Sequence, residues 1–278
     1  MELLNPQQYD HIIQRGLMED APGGDVTTVG LFDENETGGG RFIAKAAGVM
    51  AGLDVARRVF TTLQANFEFD AKTRDGAAVK AGDVIATLHG RKRALLTGER
   101  LALNLLQRMS GIATMAAAFV AAVSGLPVTI LDTRKTAPGL RVLDKYAVRC
   151  GGATNHRLTL SDLAMIKDNH IKLAGGIGPA VARVRAKVPH VKIEVETESL
   201  DDVRTAIAAG ADIIMLDNMP IEMMREAVKY IAGQARIEAS GNVSLANVRS
   251  IAETGVDFIS IGALTHSVKA LDISLKAD

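Results

Sequence analysis

The sequence predicts an α/β protein whose C-terminal half forms a closed or nearly closed parallel barrel. Six short apolar runs lie between residues 128 and 261, and helical patterns separate the later ones. Alternating strand and helix patterns with Gly or Pro between them indicate βα units and a parallel sheet. A doubly wound sheet gives the same alternation, but no G-x-G-x-x-G motif follows any run, which removes its commonest dinucleotide-binding version. The predicted strands are 128–131, 163–166, 191–195, 213–216, 235–239 and 258–261.

The composition is that of a globular protein from a reducing compartment. The chain has 278 residues, of which 47% are hydrophobic and 23% charged, and its net charge at pH 7 is zero. Such a balance, with only 4% aromatic residues, argues against nucleic-acid binding. Cys150 is the single cysteine, so no internal disulfide is possible, and we expect it to be buried rather than nucleophilic. The N-terminus lacks the pattern of a signal peptide and segment 111–123 is too short to span a bilayer, so we expect a cytoplasmic protein without membrane contacts.

The first part of the chain predicts a smaller domain of mixed elements. Apolar spacing indicates a helix over 7–19, which the Pro and Gly of 22–25 end, and an extended segment from Val26. The glycines of 38–40 predict a turn. Next come a strand at 41–46, a helix at 53–65 and a strand at 67–70. Segment 75–90 resembles the hammerhead of biotinyl and lipoyl carrier domains but lacks their attachment site, so we expect only a similar sheet there.

Residues 93–123 predict two helices with a break near Ser110 and Gly111. Arg100 lies between Leu96 and Leu103, on a face that the apolar spacing predicts to be buried. A buried charge needs a partner or a ligand, so Arg100 is a candidate binding residue. The later helices are predicted at 178–188, 200–209, 221–232 and 245–253.

Charged and small residues follow the ends of the predicted barrel strands, where α/β barrels hold their active sites. Segment 132–170 contains seven Lys or Arg and four acidic residues, although the whole chain is neutral. Arg141, Lys145 and Arg149 fit solvated charges on a helix face, whereas the other cations stand beside Gly, Asn or a strand end. The residues at these ends are Asp132, Arg134 and Lys135; Lys167; Glu196; Asp217; Ser240, Gly241 and Asn242; and Gly262, Ala263, Leu264 and Thr265.

This set predicts a pocket with a basic half and an acidic half. Gly241 and Gly262 leave backbone N–H groups open on the last two strands, where α/β barrels frequently bind a phosphate. Glu196 and Asp217 suit a Mg²⁺ site, equally suit hydrogen bonds from sugar hydroxyls, and each alone is an ordinary strand-end acid. Such a pocket fits a phosphorylated sugar together with a carboxylated co-substrate.

Long motifs over nearly the whole chain resemble the quinolinate phosphoribosyltransferases. They are DTRKTAPGLRVLDKYAVRCGG, NHR, IKDNHI, IEVE, LDN, EASGN and TGVDFISIGALTHSVKALDISLK. The resemblance implies an N-terminal α/β sandwich domain followed by an incomplete, mainly six-stranded α/β barrel. It places the sandwich in 1–112, rejoined by 267–278, and the barrel in 113–266. It also implies a homodimer with active sites near the subunit interface.

The resemblance implies a reaction and a set of residues. Quinolinate and 5-phosphoribosyl-1-pyrophosphate, with Mg²⁺, would give nicotinate mononucleotide, pyrophosphate and CO₂ in NAD biosynthesis. The catalytic residues would be Lys135, Lys167, Glu196 and Asp217, with Glu196 and Asp217 also as metal ligands. The quinolinate pocket would use Arg100, Arg134, His156, Arg157 and Lys167. Lys135 and Lys167 would also bind phosphoribosyl pyrophosphate, and Thr133 would be a further substrate-binding residue. The 5-phosphate loops would be Ser240, Gly241 and Asn242 with Gly262 and Ala263, and Lys45 would reach the neighbouring subunit's site.

The sequence departs from the family pattern at two places. Ala153 and Thr154 stand where the family has Gly and His, which removes one histidine but leaves His156 and Arg157. Asn242 replaces the second glycine of a Ser-Gly-Gly phosphate loop. Asn tolerates positive φ better than other non-glycine residues, so we expect the turn to survive.

Three other functions are compatible with parts of the sequence. A relative of the same fold, such as the one associated with molybdenum transport, would take another ligand, although the complete basic set argues against it. A Schiff-base aldolase would use Lys167 at its strand end, and borohydride trapping would reveal it. A non-catalytic carrier would need an attachable lysine in the hammerhead segment, where only Lys80 is found.

Overall fold

The computed structural model describes residues 4–278, and a short 3-10 turn, Pro6–Gln8, precedes the first helix. The helices are α1 (Asp10–Asp20), α2 (Val26–Leu31), α3 (Leu53–Leu63), α4 (Lys92–Ala122), α5 (Arg141–Cys150), α6 (Asp168–Ala174), α7 (Ile177–Lys187), α8 (Leu200–Ala208), α9 (Ile221–Ile231), α10 (Val248–Ala252) and α11 (Ala263–His266). The strands are β1 (Thr37–Ala44), β2 (Gly48–Val49), β3 (Glu68–Ala71), β4 (Ala78–Val79), β5 (Val84–Arg91), β6 (Thr129–Leu131), β7 (Ala164–Ile166), β8 (Ile193–Thr197), β9 (Ile213–Asp217), β10 (Arg236–Ser240), β11 (Phe258–Ser260) and β12 (Ile273–Ala277).

The chain divides into two compact units. The first comprises the chain as far as Ala117 together with Thr136–Gly152 and Ala263–Asp278, and the second comprises Ala118–Lys135 and Ala153–Gly262. The boundary therefore falls inside α4. The predicted domains, 1–112 with 267–278 and 113–266, follow from the family resemblance and stay a prediction.

The first unit contains a four-stranded antiparallel sheet in the order β12-β1-β5-β3. The C-terminal strand thus pairs with β1, near the start of the chain. Side chains alternate across a strand, and the apolar side chains of the sheet and α3 form an aromatic core. Phe60 stacks on Phe67 with 4.7 Å between ring centroids and lies 6.0 Å from Phe42.

The second unit contains a six-stranded parallel sheet in the order β6-β11-β10-β9-β8-β7. All six predicted strands are present within a few residues of their predicted ends, because continuous apolar runs between helices favour buried parallel strands. Within residues 4–278 no ladder joins β6 to β7. The α/β class, the six-stranded parallel sheet and the separate N-terminal sheet domain are therefore confirmed.

A side-chain cap begins the helix that follows β8. The Ser199 side chain accepts a hydrogen bond from the Asp202 N–H and begins α8 just after β8. Such a cap satisfies an otherwise unpaired helix N–H. Because the strands are parallel, their carboxyl ends and the residues after them lie at one edge of the sheet.

Helix α4 runs unbroken for 31 residues, so the predicted break near Ser110 and Gly111 is wrong. A Cβ on Gly111 would lie 2.2 Å from the carbonyl oxygen of Lys269, so this glycine permits close backbone packing rather than ending a helix. Ser110 donates to the carbonyl of Ala51 at 3.3 Å. By length and composition alone, α4 is long and apolar enough to cross a membrane. Core helices of globular proteins often have the same length and composition, and half of the most apolar segment of α4 is buried in the protein.

Two predicted elements of the first unit are also wrong. Val26–Leu31 is a short helix rather than an extended segment, because the Asp25 carboxylate accepts from the Thr28 N–H at 3.0 Å and caps it. Gly38, Gly39 and Gly40 lie inside β1 rather than in a turn. Gly40 pairs with both neighbouring strands, and a Cβ there would lie 3.0 Å from the carbonyl oxygen of Lys276.

Helix α5 carries the cations predicted to be solvated. Arg141 and Arg149 are half-buried, but the Lys145 side chain is buried and only 1% exposed, so that prediction is wrong for Lys145. Asp144 beside it is also buried and receives two hydrogen bonds from Arg108, at 2.9 and 2.8 Å. Cys150 ends the helix and is buried, as predicted; burial and the neighbouring charge of Asp75 raise its pKa to about 12, so the thiolate nucleophile is disfavoured.

Candidate active site

A cavity of about 640 Å³ opens at the carboxyl ends of the strands of the second unit. Its volume suits a small-molecule ligand. The lining residues all belong to the second unit: Thr133, Arg134, Lys135, His156, Arg157, Met165, Lys167, Glu196, Met215, Asp217, Asn218, Glu238, Ser240, Gly241, Asn242 and Ser260.

Most of the predicted site residues line this one cavity. The predicted members found there are Thr133, Arg134, Lys135, His156, Arg157, Lys167, Glu196, Asp217, Ser240, Gly241 and Asn242. Gly262 belongs to the second unit but is not among the lining residues, and Ala263, Lys45 and Arg100 belong to the first unit. Arg100 is exposed, so the prediction that it lies on a buried face is wrong.

A buried aspartate anchors the loop that carries His156. Asp132 follows β6 and is fully buried. Its carboxylate accepts from the His156 backbone N–H at 2.8 Å and from the Asn155 side-chain amide at 2.7 Å. Thr154 extends this attachment by pairing with Leu131. Asp132 therefore holds the loop in place through two hydrogen bonds. Its position at a strand end is equally typical of a ligand-binding residue, so the sequence alone does not predict this role.

Two arginines enter the cavity from different loops. The Nε atom of Arg134 is buried and has no hydrogen-bond partner in the described part of the chain. Burial lowers the pKa of Arg157, and the charge of Arg134 lowers it further, so the two guanidinium groups repel each other. A buried donor without a partner is costly, and two repelling cations favour an anion between or beside them. This half of the cavity is built for an anionic ligand.

The opposite half carries carboxylates. Glu196 is the penultimate residue of β8, and Asp217 ends the neighbouring strand β9. Lys167 begins α6 after β7, and its ammonium group donates to Glu196. This ion pair joins the basic half of the cavity to the acidic half and uses one side of the Glu196 carboxylate.

A network of side-chain amides shapes the turn after β10. Asn218 donates to the Asp217 carboxylate at 2.8 Å and accepts from the Asn242 amide at 2.9 Å. A Cβ on Gly241 would lie 2.2 Å from the Asn218 side-chain oxygen. Asn242 has φ of +50°, which confirms that asparagine preserves the left-handed turn. The sequence after Ser240 thus forms a narrow cradle that a side chain on Gly241 would fill.

Two further glutamates lie inside the sheet behind His156. The His156 Nε2 atom is 3.2 Å from Glu194 Oε2 and 3.3 Å from Glu238 Oε2. Burial lowers the pKa of His156, but the hydrogen bonds with Glu194 and Glu238 outweigh it and raise the pKa to about 9. Burial also raises the pKa of Glu194. Both shifts favour retention of a proton where His156 meets Glu194.

The sequence analysis missed five lining residues. Met165, Met215, Asn218, Glu238 and Ser260 line the cavity, although no site role is predicted for them; the last three lie within the motifs LDN, EASGN and TGVDFISIGALTHSVKALDISLK. Glu238 had a signal, since a lone acid inside an apolar strand is unusual and needs a partner. Asn218 directly follows a predicted acid, whereas Met165, Met215 and Ser260 look like ordinary strand residues.

Comparison with protein families finds two matching models that together cover most of the chain. Residues 25–110 match the quinolinate phosphoribosyl transferase N-terminal domain, and residues 112–276 match the C-terminal domain of the same family. The shared junction lies within α4.

Individual relatives agree with the family models. The chain is 50% identical to the probable nicotinate-nucleotide pyrophosphorylase [carboxylating] of Synechocystis sp. over 96% of this chain and 92% of that protein. It is 44% identical to the corresponding Bacillus subtilis protein over 98% of this chain and 94% of that one. Among solved structures, NadC from Streptococcus pyogenes has a TM-score of 0.96 at 45% identity, covering 99% of this chain and 98% of its own.

Proposed function

This chain belongs to the quinolinate phosphoribosyltransferase family, and we propose that the cavity of its second unit is where the family's reaction takes place. The enzyme transfers the phosphoribosyl group of 5-phosphoribosyl-1-pyrophosphate to quinolinate, and the products are nicotinate mononucleotide, pyrophosphate and CO₂. This step belongs to de novo NAD biosynthesis. The observation that carries the assignment of the site is the buried, unpartnered Nε of Arg134 in a cavity rich in cations.

The arginine half of the cavity would bind the two carboxylates of quinolinate. Arg134 has a buried donor to offer, and Arg157 is kept in place by a 2.8 Å hydrogen bond from its guanidinium group to the Leu163 carbonyl. Guanidinium groups bind carboxylates with two parallel hydrogen bonds, which fixes orientation as well as position. His156, Thr133 and Lys167 complete this half. Holding the pyridine nitrogen toward the ribose carbon would supply much of the rate, as positioning does in bimolecular reactions.

The carboxylate half would act on the ribose. Loss of pyrophosphate leaves oxocarbenium character at the ribose carbon, and the negative charges of Glu196 and Asp217 stabilise it. The pyridine nitrogen then bonds to that carbon and becomes positive. The 2-carboxylate departs as CO₂ because the electron pair of its broken bond is accepted by the ring, and a proton replaces it. No covalent protein nucleophile is required.

The ribose phosphates need separate contacts. Lys135 and Lys167 carry the positive charge that suits a pyrophosphate leaving group. The cradle of Ser240, Gly241 and Asn242 offers backbone and side-chain donors for the 5-phosphate, in the way successive N–H groups form anion sites. Gly262 and Ala263 follow β11 and stay assigned to this phosphate by resemblance. The Lys167 ammonium group contacts the Glu196 carboxylate, whereas a Schiff-base lysine needs apolar burial.

The donor set fits Mg²⁺. Glu196 and Asp217 present carboxylates on adjacent strand ends of the same cavity, and Mg²⁺ prefers one or two carboxylates together with substrate phosphate oxygens. The ion would neutralise charge on the pyrophosphate. Glu196 and Asp217 would hold it while still facing the ribose.

We also propose that the enzyme is a cytoplasmic homodimer whose sites lie near the subunit interface. Each unit exposes large apolar side chains, with Val26 83% exposed on the first and Leu173 86% exposed on the second. Exposed apolar side chains that lie together, as Val26 and Val29 do on α2, favour burial between subunits. Lys45 and Arg100, both exposed on the first unit, would then reach a site of the neighbouring subunit.

The proposed site is tested by release of labelled CO₂ from carboxyl-labelled quinolinate in a single turnover. We expect wild-type enzyme to release CO₂ only when phosphoribosyl pyrophosphate and Mg²⁺ are present. Arg134→Ala should slow release by about 100-fold, because it removes a charged donor from a desolvated carboxylate site.

A matched control is Arg204→Ala, since Arg204 is an exposed arginine on α8 that is paired with Asp201. Its CO₂ release should equal that of wild type. Equal rates for wild type and Arg134→Ala would show that the reaction takes place elsewhere. Absence of release by folded wild-type enzyme would contradict quinolinate as the substrate.

A further inference from the structure

Glu194 and Glu238 lie outside the set of residues that the reaction requires. They stand on β8 and β10, with β9 between them, and their side chains are 0% and 1% exposed. Glu194 and Glu196 are two residues apart on one strand, so both face the same side of the sheet. Two carboxylates buried this deeply are costly unless something compensates their charge. Glu238 lines the cavity, and the burial of Glu194 beside it therefore calls for a physical reason.

The His156 ring is held between this pair and its own loop. The Nε2 atom faces both carboxylates, at 3.2 and 3.3 Å. The N–H of Arg157 donates to Nδ1 at 2.7 Å. Because Nδ1 accepts this hydrogen bond, the ring N–H lies at Nε2 and faces the two carboxylates. The orientation of His156 and the backbone position of Arg157 are thus coupled to the two glutamates.

We propose that Glu194 and Glu238 are positioning residues for quinolinate, which act through His156. This inference rests on the proposed role of His156 and Arg157 in binding quinolinate. The carboxylates hold the imidazole in one orientation and keep its Nε2 proton in place. They thereby fix the neighbouring Arg157 for the incoming carboxylate of the substrate.

The positive charges around this cluster disfavour a metal ion, although the second oxygen of each carboxylate is buried without a hydrogen-bond partner in residues 4–278. One nitrogen and two carboxylates lie close enough to ligate a cation. However, one oxygen of each carboxylate is already at hydrogen-bond distance from Nε2, and Arg157 adds positive charge nearby. A divalent ion would displace the Nε2 proton and increase repulsion with the arginines.

The test measures KM for each substrate in Glu194→Gln, Glu238→Gln and the double variant. Glutamine keeps the shape but not the charge. We expect KM for quinolinate to rise about 10-fold in the double variant, while KM for phosphoribosyl pyrophosphate changes by less than about 2-fold. Removing one partner of a buried charged pair destabilises a fold, so the thermal midpoint of each variant is measured as well, and a general loss of structure would raise both KM values. Weaker quinolinate binding with a nearly unchanged KM for phosphoribosyl pyrophosphate is a result that a purely structural role would not give.

Two further variants separate the possible outcomes. His156→Gln should raise KM for quinolinate by a similar factor, and adding it to the double variant should have little further effect, because the residues act as one unit. Glu198→Gln, an exposed acid just beyond β8, should match wild type in both KM values.

Different failures have different meanings. If His156→Gln leaves KM for quinolinate unchanged, the proposed role of His156 is wrong. If it raises KM but the glutamate variants do not, the inference about Glu194 and Glu238 is wrong and the proposed function stands. One equivalent of bound transition metal in purified wild type, absent from the double variant, would overturn the inference by making the cluster a metal site.

Discussion

At the level of single residues, His156 is a side chain of the cavity whose charge changes with pH. Its pKa is about 9 rather than the ordinary 6.5, because the contacts with Glu194 and Glu238 outweigh burial. A raised pKa means that the proton is retained below about 9 and lost above it. Any stability that this bound proton contributes to the folded protein is fully present below about pH 6.5 and disappears as the pH rises through about 9. We therefore expect KM for quinolinate to rise between about pH 8 and about pH 10.

The measurement is KM for quinolinate from about pH 7 to about pH 10 in wild type and in His156→Gln. The variant should have a higher KM that changes little through the region where wild type weakens. An identical rise in both proteins would assign the pH dependence to another group, such as one of the lysines.

Several site residues were predictable one at a time because their type and position carry the signal. Asn242 was expected to tolerate positive φ, and its φ of +50° confirms this. The pairing of His156 with Glu194 and Glu238 was not predictable in this way. It depends on the order of the strands, which places β8 and β10 on either side of β9 and beneath the loop that Asp132 anchors. No local pattern records that order.

At the level of elements, helix α4 depends on the absence of a side chain at Gly111. A Cβ there would lie 2.2 Å from the Lys269 carbonyl oxygen and 3.0 Å from the Ala270 Cα, both of which are backbone atoms. Backbone moves less readily than a flexible side chain, so Gly111→Ala should destabilise the protein by about 2 kcal/mol despite the better helix propensity of alanine. In a chain of this size the thermal midpoint should fall by roughly 5 °C.

Gly178→Ala is the matched control, because Gly178 lies in the first turn of α7 with nothing within 4 Å of its Cβ position. That variant should be equal to wild type or slightly more stable, since alanine restricts the unfolded chain. A Gly111→Ala protein with the wild-type midpoint would show that the C-terminal segment moves aside at little cost.

Elements with a clear period were predictable, and those decided by one contact were not. The strands and helices of the second unit alternate in long apolar patterns, and all six strands were found. Helix α2 depends on the single cap of Asp25 to Thr28. The sequence predicts a turn at Gly38–Gly40 because glycine is common in turns. Their place in a strand depends on two partner strands that are distant in sequence, so no local pattern indicates it.

At the level of the whole molecule, the predicted site residues fall in two groups. Those on the second unit, apart from Gly262, line one cavity, whereas Lys45 and Arg100 are exposed on the first unit. A site assembled from two copies of the chain gives the second group a function. Composition and periodicity do not distinguish a site shared between two subunits from a site within one subunit, because the two arrangements use the same residues of the sequence.

Subunit complementation tests this arrangement. Lys45→Glu and Lys167→Ala would each be strongly impaired as homodimers. A heterodimer of the two variants is purified through a different tag on each subunit. If Lys45 acts on the site of the neighbouring subunit, one site of this heterodimer carries both substitutions and the other site carries neither. About half of the wild-type rate per dimer should then return.

The control heterodimer combines Lys167→Ala with Glu196→Ala, whose lesions lie on the same unit. Each of its sites carries one lesion whichever way Lys45 acts, so it should stay inactive. If Lys45 instead served its own subunit, the first heterodimer would also carry one lesion in each site and would stay inactive. Recovery in the first pair but not in the second therefore requires that the first unit of one copy completes the cavity of the other.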